Sequence, residues 1–214
     1  HMMEAAVAYA QGCGKTKFLE LMCRYTDYID ATFGPEEGKM QGYPGHEEIE
    51  LALIRLGEYA GEERYLKLAK YFVDQRGQEP HYYTAEAIAR GEDPDDWHWV
   101  TVDNEVSKVD YRYNQSHRPV CEQDTAVGHS VRAMYLYSGA TDVAAKFDDS
   151  ALKTAMEGLF DSVSRRRMYV TGGLGSAAEN EGFTEDYDLP NDSAYVETCA
   201  AIGEIFWLQR MARF

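Results

Sequence analysis

Apolar residues recur at helical spacing along most of the chain. Phe18, Leu19, Met22, Tyr25 and Ile29 fall three or four positions apart, which is the period of one face of an α-helix. Glycines and prolines separate successive segments of this kind. The pattern predicts helices at residues 4–11, 18–33, 46–59, 63–74, 84–90, 124–137, 150–165 and 193–213, with breaks at Ser138, Gly139 and the glycines of 172–175. Because no domain-sized stretch alternates as strands do, we predict an all-α fold.

Residues 77–118 depart from this rhythm. They contain Pro80, Pro94 and a Trp-His-Trp sequence at 97–99, with mixed polarity and one short helix near 84–90. Loops of this length in compact domains are usually functional or inserted. We therefore predict one domain over residues 1–214 that carries an irregular insertion around 77–118.

A weak repeat places an ionisable side chain beside the start of several apolar helices. The side chains are His1, His46, His129 and Glu197. Helical hairpins cannot bury their apolar faces singly, so they pack side by side. If the hairpins close into a ring, the corresponding ends of the inner helices meet at one rim. The repeat thus predicts a toroid of helical hairpins with a site formed at that rim.

Composition and charge narrow the classes of partner. The chain is 44% hydrophobic and 13% aromatic, which fits a folded globular protein. Its 21 basic and 37 acidic residues give a net charge of −16, which repels nucleic acid and anionic membranes. A neutral partner such as a sugar fits better, although solvated acidic helix faces alone would explain the charge. With no apolar run of membrane-spanning length and no basic leader, we expect a cytoplasmic protein without membrane or nucleic-acid partners.

The segment from Tyr169 to Cys199 is rich in glycines and carboxylates. Glu197 and Cys199 differ by two positions, so on a regular helix they would point apart, whereas in a non-helical turn both reach one ion. A carboxylate with a thiolate suits zinc. The alternative is an acidic surface loop, with Asn191 or Asp192 capping the next helix and Cys199 an inert small hydrophobe.

Two glycine motifs do not indicate a nucleotide. Gly14-Lys-Thr lacks the glycine that a phosphate loop needs at position 9, where this chain has Tyr9. Gly172-Gly-Leu-Gly175 lacks the spacing of a dinucleotide fingerprint, and we predict that it supplies tight backbone near a ligand. We expect no nucleotide cofactor.

Six motifs together resemble glycoside hydrolase family 127, the metal-dependent β-L-arabinofuranosidase group formerly described as a DUF1680-type domain. They cover nearly the whole chain and are Gly42-Tyr-Pro-Gly-His46, Tyr65 to Gly77, Ala126 to Tyr137, Thr171-Gly-Gly-Leu-Gly-Ser176, Glu181-Gly-Phe-Thr-Glu-Asp-Tyr-Asp-Leu-Pro-Asn-Asp192 and Tyr195-Val-Glu-Thr-Cys199. The resemblance implies an (α/α)₆ barrel. This chain would be a partial barrel, truncated before the C-terminal hairpins and any β-domain.

The same resemblance implies an activity and a cofactor. The family removes terminal β-L-arabinofuranosyl residues with retention of configuration, so the implied partner is an L-arabinofuranose-containing carbohydrate. Its zinc is held by one Glu and three Cys, one of which is the nucleophile. Glu197 and Cys199 match two of these ligands, and the other two form an adjacent Cys-Cys pair that these 214 residues lack. We therefore expect the 214-residue chain alone to be inactive and its open barrel edge to self-associate.

The remaining site residues also follow from the resemblance. Glu181 matches the family's acid/base carboxylate, and His46 and His129 match positions that line its sugar pocket. His1 matches a third such position, although His-Met is also a familiar cloning remnant. Cys121 departs from the pattern, because relatives typically carry Arg there. Two alternatives stay open, namely a non-catalytic carbohydrate-binding helical module and a related α/α-barrel enzyme that acts on another sugar.

Overall fold

The computed structural model describes residues 1–94, 101–102, 105–106 and 110–214. Within these ranges the fold is all-α, as predicted, and the strands β1 (Thr101–Val102) and β2 (Glu105–Val106) form a two-residue antiparallel hairpin. The helices are α1 (Met2–Cys13), α2 (Lys17–Thr32), α3 (Ile49–Ala60), α4 (Glu63–Gln75), α5 (Tyr82–Ala89), α6 (Ser130–Lys146), α7 (Ser150–Ser162) and α8 (Thr198–Met211). None of these helices combines the length and apolar character needed to span a membrane.

The helices stack as hairpins in two layers. Loops of two or three residues join α1 to α2, α3 to α4 and α6 to α7, so the members of each pair run antiparallel. The first helices of the pairs also pack on one another in chain order, α1 on α3, α3 on α6, and α6 on α8. This inner row, with α2, α4 and α7 outside it, is part of an α/α barrel, in agreement with the predicted fold class.

The core lies between the inner helices. α6 is enclosed by α3, α4, α7 and α8, and its Met134, Leu136 and Tyr137 are fully buried. Trp207 of α8 packs on Tyr137 with ring centroids 5.1 Å apart and donates its Nε1–H to the hydroxyl of Thr141 at 3.0 Å. The indole N–H of Trp207 is thus paired inside the core while both rings are removed from water.

The predicted break at Ser138 and Gly139 is wrong, because both residues lie inside α6. The Ser138 hydroxyl is satisfied within the helix by donating to the Met134 carbonyl at 2.8 Å. A Cβ added at Gly139 would lie 2.7 Å from the Cβ of Glu50 on α3. The glycine therefore permits a close approach of two buried helices and does not interrupt one.

Other predicted boundaries also shift, and the shifts at the starts of α3 and α8 affect candidate site residues. α3 begins at Ile49, so His46 lies in the preceding loop, and α8 begins at Thr198, which leaves residues 193–197 non-helical. α7 continues into a turn of π-helix at Val163–Arg167. The short helix predicted near 84–90 is α5, whereas Trp97, His98 and Trp99 lie outside the described residues.

Candidate functional site

The structure brings the ionisable residues at the inner helix starts to one rim. His1 precedes α1 and contacts Glu48, the residue before α3. The His46 ring lies 6.4 Å from the His129 ring and 6.4 Å from the Tyr135 ring. The His1 ring lies 6.5 Å from Tyr135. The three histidines therefore share one surface, as the repeat of helix starts implies.

His129 caps α6 and holds Glu181. Its Nδ1 accepts the backbone N–H of Arg132 at 3.5 Å, and its Nε2 lies 2.8 Å from Oε2 of Glu181. Since Nδ1 accepts, the proton sits on Nε2, which donates to the carboxylate. Burial lowers the pKa of His129, although the bond to Glu181 opposes that effect. The pair is therefore a neutral imidazole that orients a carboxylate.

Glu181 is fixed by a second donor and by its backbone. The Tyr195 hydroxyl donates to Oε1 at 2.8 Å. This bond, followed by the one from His129, lowers the pKa of Glu181. The Glu181 carbonyl accepts both the N–H and the hydroxyl of Ser130, at 3.0 and 2.8 Å, and its φ of 51° is left-handed. Both carboxylate oxygens are thus positioned, while the side chain remains 44% exposed and open to a ligand.

Glycines let the two loops that carry the site approach closely. A Cβ at Gly182 would lie 2.2 Å from the Gly128 carbonyl oxygen, which seats the Glu181 loop against the start of α6. Gly175, at φ +87°, accepts the N–H of Val196 at 2.9 Å. The glycine motif of 172–175 therefore supports the segment that presents Tyr195 and Glu197.

Glu197 and its neighbours could hold a metal ion. Glu197 stands at the N-cap of α8 in extended backbone, and its Oε2 is buried without a hydrogen-bond partner among the residues that the structure describes. Ligand atoms of His129, Glu181 and Glu197 all lie within 4.8 Å of one another. Cys199 is exposed in the first turn of α8, and the Glu197 carboxylate beside it raises the pKa of its thiol. Cys121 is exposed in the short turn Val120–Glu122.

The sequence analysis did not identify two residues of this arrangement, Tyr195 and Arg132. Tyr195 lies inside the Tyr-Val-Glu-Thr-Cys motif, yet its bond to Glu181 depends on the left-handed φ of 47° at Val196, which no residue pattern predicts. Arg132 donates to the Gly45 carbonyl at 2.5 Å and stacks over Tyr113, thereby joining the His46 loop to the start of α6. Its position one helical turn after the capping His129 is the signal that could have identified it.

Comparison with known proteins gives the family context. The model of the β-L-arabinofuranosidase GH127 catalytic domain matches residues 1–214. A non-reducing end β-L-arabinofuranosidase of Bifidobacterium longum subsp. longum is 43% identical over 211 residues, 99% of this chain and 31% of the relative. The structure of a GH127 β-L-arabinofuranosidase from Geobacillus stearothermophilus T6 superposes with a TM-score of 0.91 at 53% identity, and covers 99% of this chain and 32% of its own. The structure of a second GH127 β-arabinofuranosidase superposes with a TM-score of 0.81 at 37% identity. This match covers 99% of this chain and 29% of that structure's chain. This chain thus spans about a third of the length of each relative.

Proposed function

This chain belongs to the family of β-L-arabinofuranosidase GH127 catalytic domains, and from that membership we propose that the protein is a retaining glycoside hydrolase that removes terminal β-L-arabinofuranosyl residues. Its substrates would be glycans or glycoconjugates that contain L-arabinofuranose. The observation that carries the proposal is the geometry of Glu181, a partly exposed carboxylate with both oxygens held at 2.8 Å by Tyr195 and His129.

Glu181 would act as the acid/base group. In the first half of the reaction it gives a proton to the leaving oxygen, and in the second it takes one from the attacking water. The hydrogen bonds from Tyr195 and His129 favour the ionised carboxylate, which is the form that activates water in the second half, whereas the first half requires the protonated form that the same bonds disfavour. Because those donors lie on both sides of the carboxylate, they also keep it in one orientation between the two steps.

Glu197 and Cys199 would be two of the zinc ligands. The buried, unpartnered Oε2 of Glu197 and the adjacent thiol offer the oxygen and sulfur donors that zinc accepts. When bound, zinc keeps a ligating thiol deprotonated. In the family pattern the remaining ligands and the nucleophile come from an adjacent Cys-Cys pair, which these 214 residues do not contain.

His46, His129 and His1 would contact the sugar. The His46 Nδ1 donates to the Glu47 carbonyl at 2.7 Å, which leaves Nε2 to face a sugar hydroxyl. His129 and His1 stand on the same rim.

Hydrolysis of paired substrates tests the proposed activity. The full-length protein that carries this chain is supplied with zinc and assayed on 4-nitrophenyl β-L-arabinofuranoside and on its α-anomer. We expect L-arabinose from the β-anomer alone, released initially as the β-anomer in NMR spectra. Release from neither compound, or initial release of the α-anomer, would contradict the proposal.

Metal analysis tests the ligands independently of activity. The zinc content of the full-length protein is measured by elemental analysis after dialysis against a weak chelator. We expect Glu197→Gln and Cys199→Ser to lose zinc, and Cys13→Ser, which changes an exposed thiol on α1, to keep it. Zinc retained at the parent level in both site variants would exclude these residues as ligands.

A further inference from the structure

A cleft of about 250 Å³ opens beside His46 between α5, the loop at residues 110–114 and the start of α6. Pockets for drug-sized ligands measure about 300–1,000 Å³, so this cleft has room for one small ring. Apart from His46, none of its residues has a role in the proposed chemistry. The side chains that line it include His46, Tyr83, Tyr111, Tyr113, Asn114 and Arg132.

Fixed aromatic rings form one wall of the cleft. Tyr111 stacks on the buried His81 with ring centroids 3.4 Å apart and planes inclined by 22°. Tyr83 is anchored by its hydroxyl, which donates to the Tyr43 carbonyl at 3.2 Å. Because these rings are already immobilised by their own contacts, they lose little conformational entropy when a ligand packs on them. They also offer a flat apolar surface. Such a surface suits the C–H face of a sugar ring.

Polar side chains line the other side. The Nη1 of Arg132 donates to the Gly45 carbonyl, and its buried Nε has no hydrogen-bond partner within the described part of the chain. Asn114 accepts from Ser116 through Oδ1 at 2.6 Å, and no acceptor for its Nδ2 occurs among the described residues. His46 contributes Nε2 as an acceptor. Two donors and one acceptor complement hydroxyl groups, which both donate and accept.

Two carboxylates that are already paired, Glu86 and Asp110, line the cleft together with the Arg132 guanidinium. Glu86 lies 3.3 Å from the guanidinium of Arg90, and Asp110 makes a bidentate pair with Arg112. The carboxylates therefore do not need a cationic ligand, and the net charge of −16 disfavours an anionic one.

One layer of side chains separates the cleft from the acid/base pair. The Tyr113 ring lies under the Arg132 guanidinium at 5.0 Å and meets the His129 ring edge-on at 5.5 Å. His129 in turn holds Glu181. His46, which lines the cleft, also lies 6.4 Å from the His129 ring, so the cleft borders the residues that hold Glu181.

We propose that the cleft is the leaving-group subsite and binds the neutral sugar ring next to the terminal arabinofuranose. The inference rests on the proposed function, because it takes Glu181 as the group that faces the scissile oxygen. Tyr111 supplies the stacking surface, and Asn114 and Arg132 supply hydrogen bonds to hydroxyls.

Substrates with and without that second ring test the inference. The full-length, zinc-loaded protein is assayed on methyl β-L-arabinofuranoside and on a β-L-arabinofuranosyl-L-arabinose disaccharide. We expect Tyr111→Leu and Asn114→Asp each to lower the ratio of kcat/KM for the disaccharide to kcat/KM for the methyl glycoside by about tenfold. Tyr111→Phe keeps the stacked ring and should restore the ratio to within about twofold. Tyr28→Leu, an exposed tyrosine of α2, is the matched control.

An unchanged ratio in both Tyr111→Leu and Asn114→Asp would overturn the subsite. If the parent protein cleaves neither substrate, the proposed function fails. Equilibrium binding then tests whether the cleft binds sugar. NMR titration with the disaccharide would then show a Kd about tenfold weaker for Asn114→Asp than for the parent if the cleft binds sugar. Equal or undetectable binding would reject it.

Discussion

Arg76 is buried together with two carboxylates beside the loop before α3, which contains His46. Its guanidinium lies 2.9 Å from Glu47 and 3.7 Å from Glu50, and all three side chains have no exposed surface. It also donates to the carbonyls of Pro44 at 2.6 Å and Asn114 at 2.9 Å. One cation therefore ties the loop before α3 to the loop that lines the cleft.

Arg76→Met should strongly destabilise the protein, because it leaves Glu47 and Glu50 buried without their cation. Breaking a buried ion pair in this way costs about 3–5 kcal/mol. Urea unfolding at pH 7.5 measures the loss, with Arg165→Met, an exposed i,i+4 pair, as the control at about 0.5 kcal/mol or less. Adding Glu47→Gln to Arg76→Met should recover part of the loss. Equal costs at the two arginines would show that the buried cation has no special role.

Glu204 predicts a pH dependence of stability. It is 4% exposed on α8, and burial raises its pKa from 4.5 to about 7. Between these values the unfolded chain ionises while the folded one stays protonated, so the free energy of unfolding falls as pH rises from about 4.5 to 7.

Glu204→Gln removes that titration while keeping the side chain's shape. Relative to the parent, the variant should therefore gain about 1–3 kcal/mol of stability between pH 5 and 7.5. Chemical denaturation across this range gives the difference, and Glu157→Gln on the exposed face of α7 is the control. A difference that does not change with pH would show that Glu204 titrates alike in both states.

Residue types and motifs predicted which side chains belong to the candidate site better than they predicted the contacts between those side chains. Glu181, Glu197, Cys199 and the histidines stand out by type and motif. The bond from Tyr195 to Glu181 was not predictable, because it depends on left-handed backbone at Glu181 and Val196. Loop conformations of this kind are set by tertiary packing and not by local preference.

At the scale of elements, amphipathic helices were easier to predict than buried ones. The outer helix α4 shows a regular apolar stripe, and its predicted and observed bounds differ by one residue. α6 is covered on nearly every side, so its small residues serve close packing, and Ser138 and Gly139 resemble a break although they lie within the helix. Periodicity carries little information where a helix has no solvent face.

Gly139→Ala tests the close packing of α3 and α6. The added methyl would lie 2.7 Å from the Glu50 Cβ and 3.0 Å from the Leu51 amide nitrogen, so the helices must separate. We expect a loss of about 1–3 kcal/mol in thermal or urea unfolding. Gly12→Ala, a helical position with no atom within 4 Å, should be neutral or stabilising. Similar stability of the two variants would indicate that the interface yields without cost.

For the whole molecule, the repeat of helix starts predicted that the candidate site residues meet at one rim, since stacked hairpins place equivalent helix ends there.

The helices α2 and α8, near the two ends of the row of hairpins, carry exposed apolar side chains. On α8, the side chains of Ile202, Ile205 and Phe206 are 38–62% exposed. On α2, those of Leu21, Tyr25 and Tyr28 are 49–68% exposed. Contiguous apolar surface of this kind favours association.

We predict that the 214-residue chain self-associates through these faces. Sedimentation velocity should show oligomers that grow with concentration, and Ile205→Lys together with Phe206→Lys should shift the chain toward monomer. Val170→Lys, at an isolated exposed apolar residue, is the control. A chain that is monomeric throughout the concentration range would contradict the prediction.

The most direct test of the central claim is the rate of L-arabinose release by the full-length, zinc-loaded protein and its Glu181→Gln variant, with Glu185→Gln from the exposed part of the same loop as control. Loss of the acid/base group predicts a fall in kcat/KM of about 10²–10⁴-fold for Glu181→Gln, with Glu185→Gln within about twofold of the parent. Parent-level activity in Glu181→Gln would show that this carboxylate is not the acid/base group, and that the geometry around it serves another purpose.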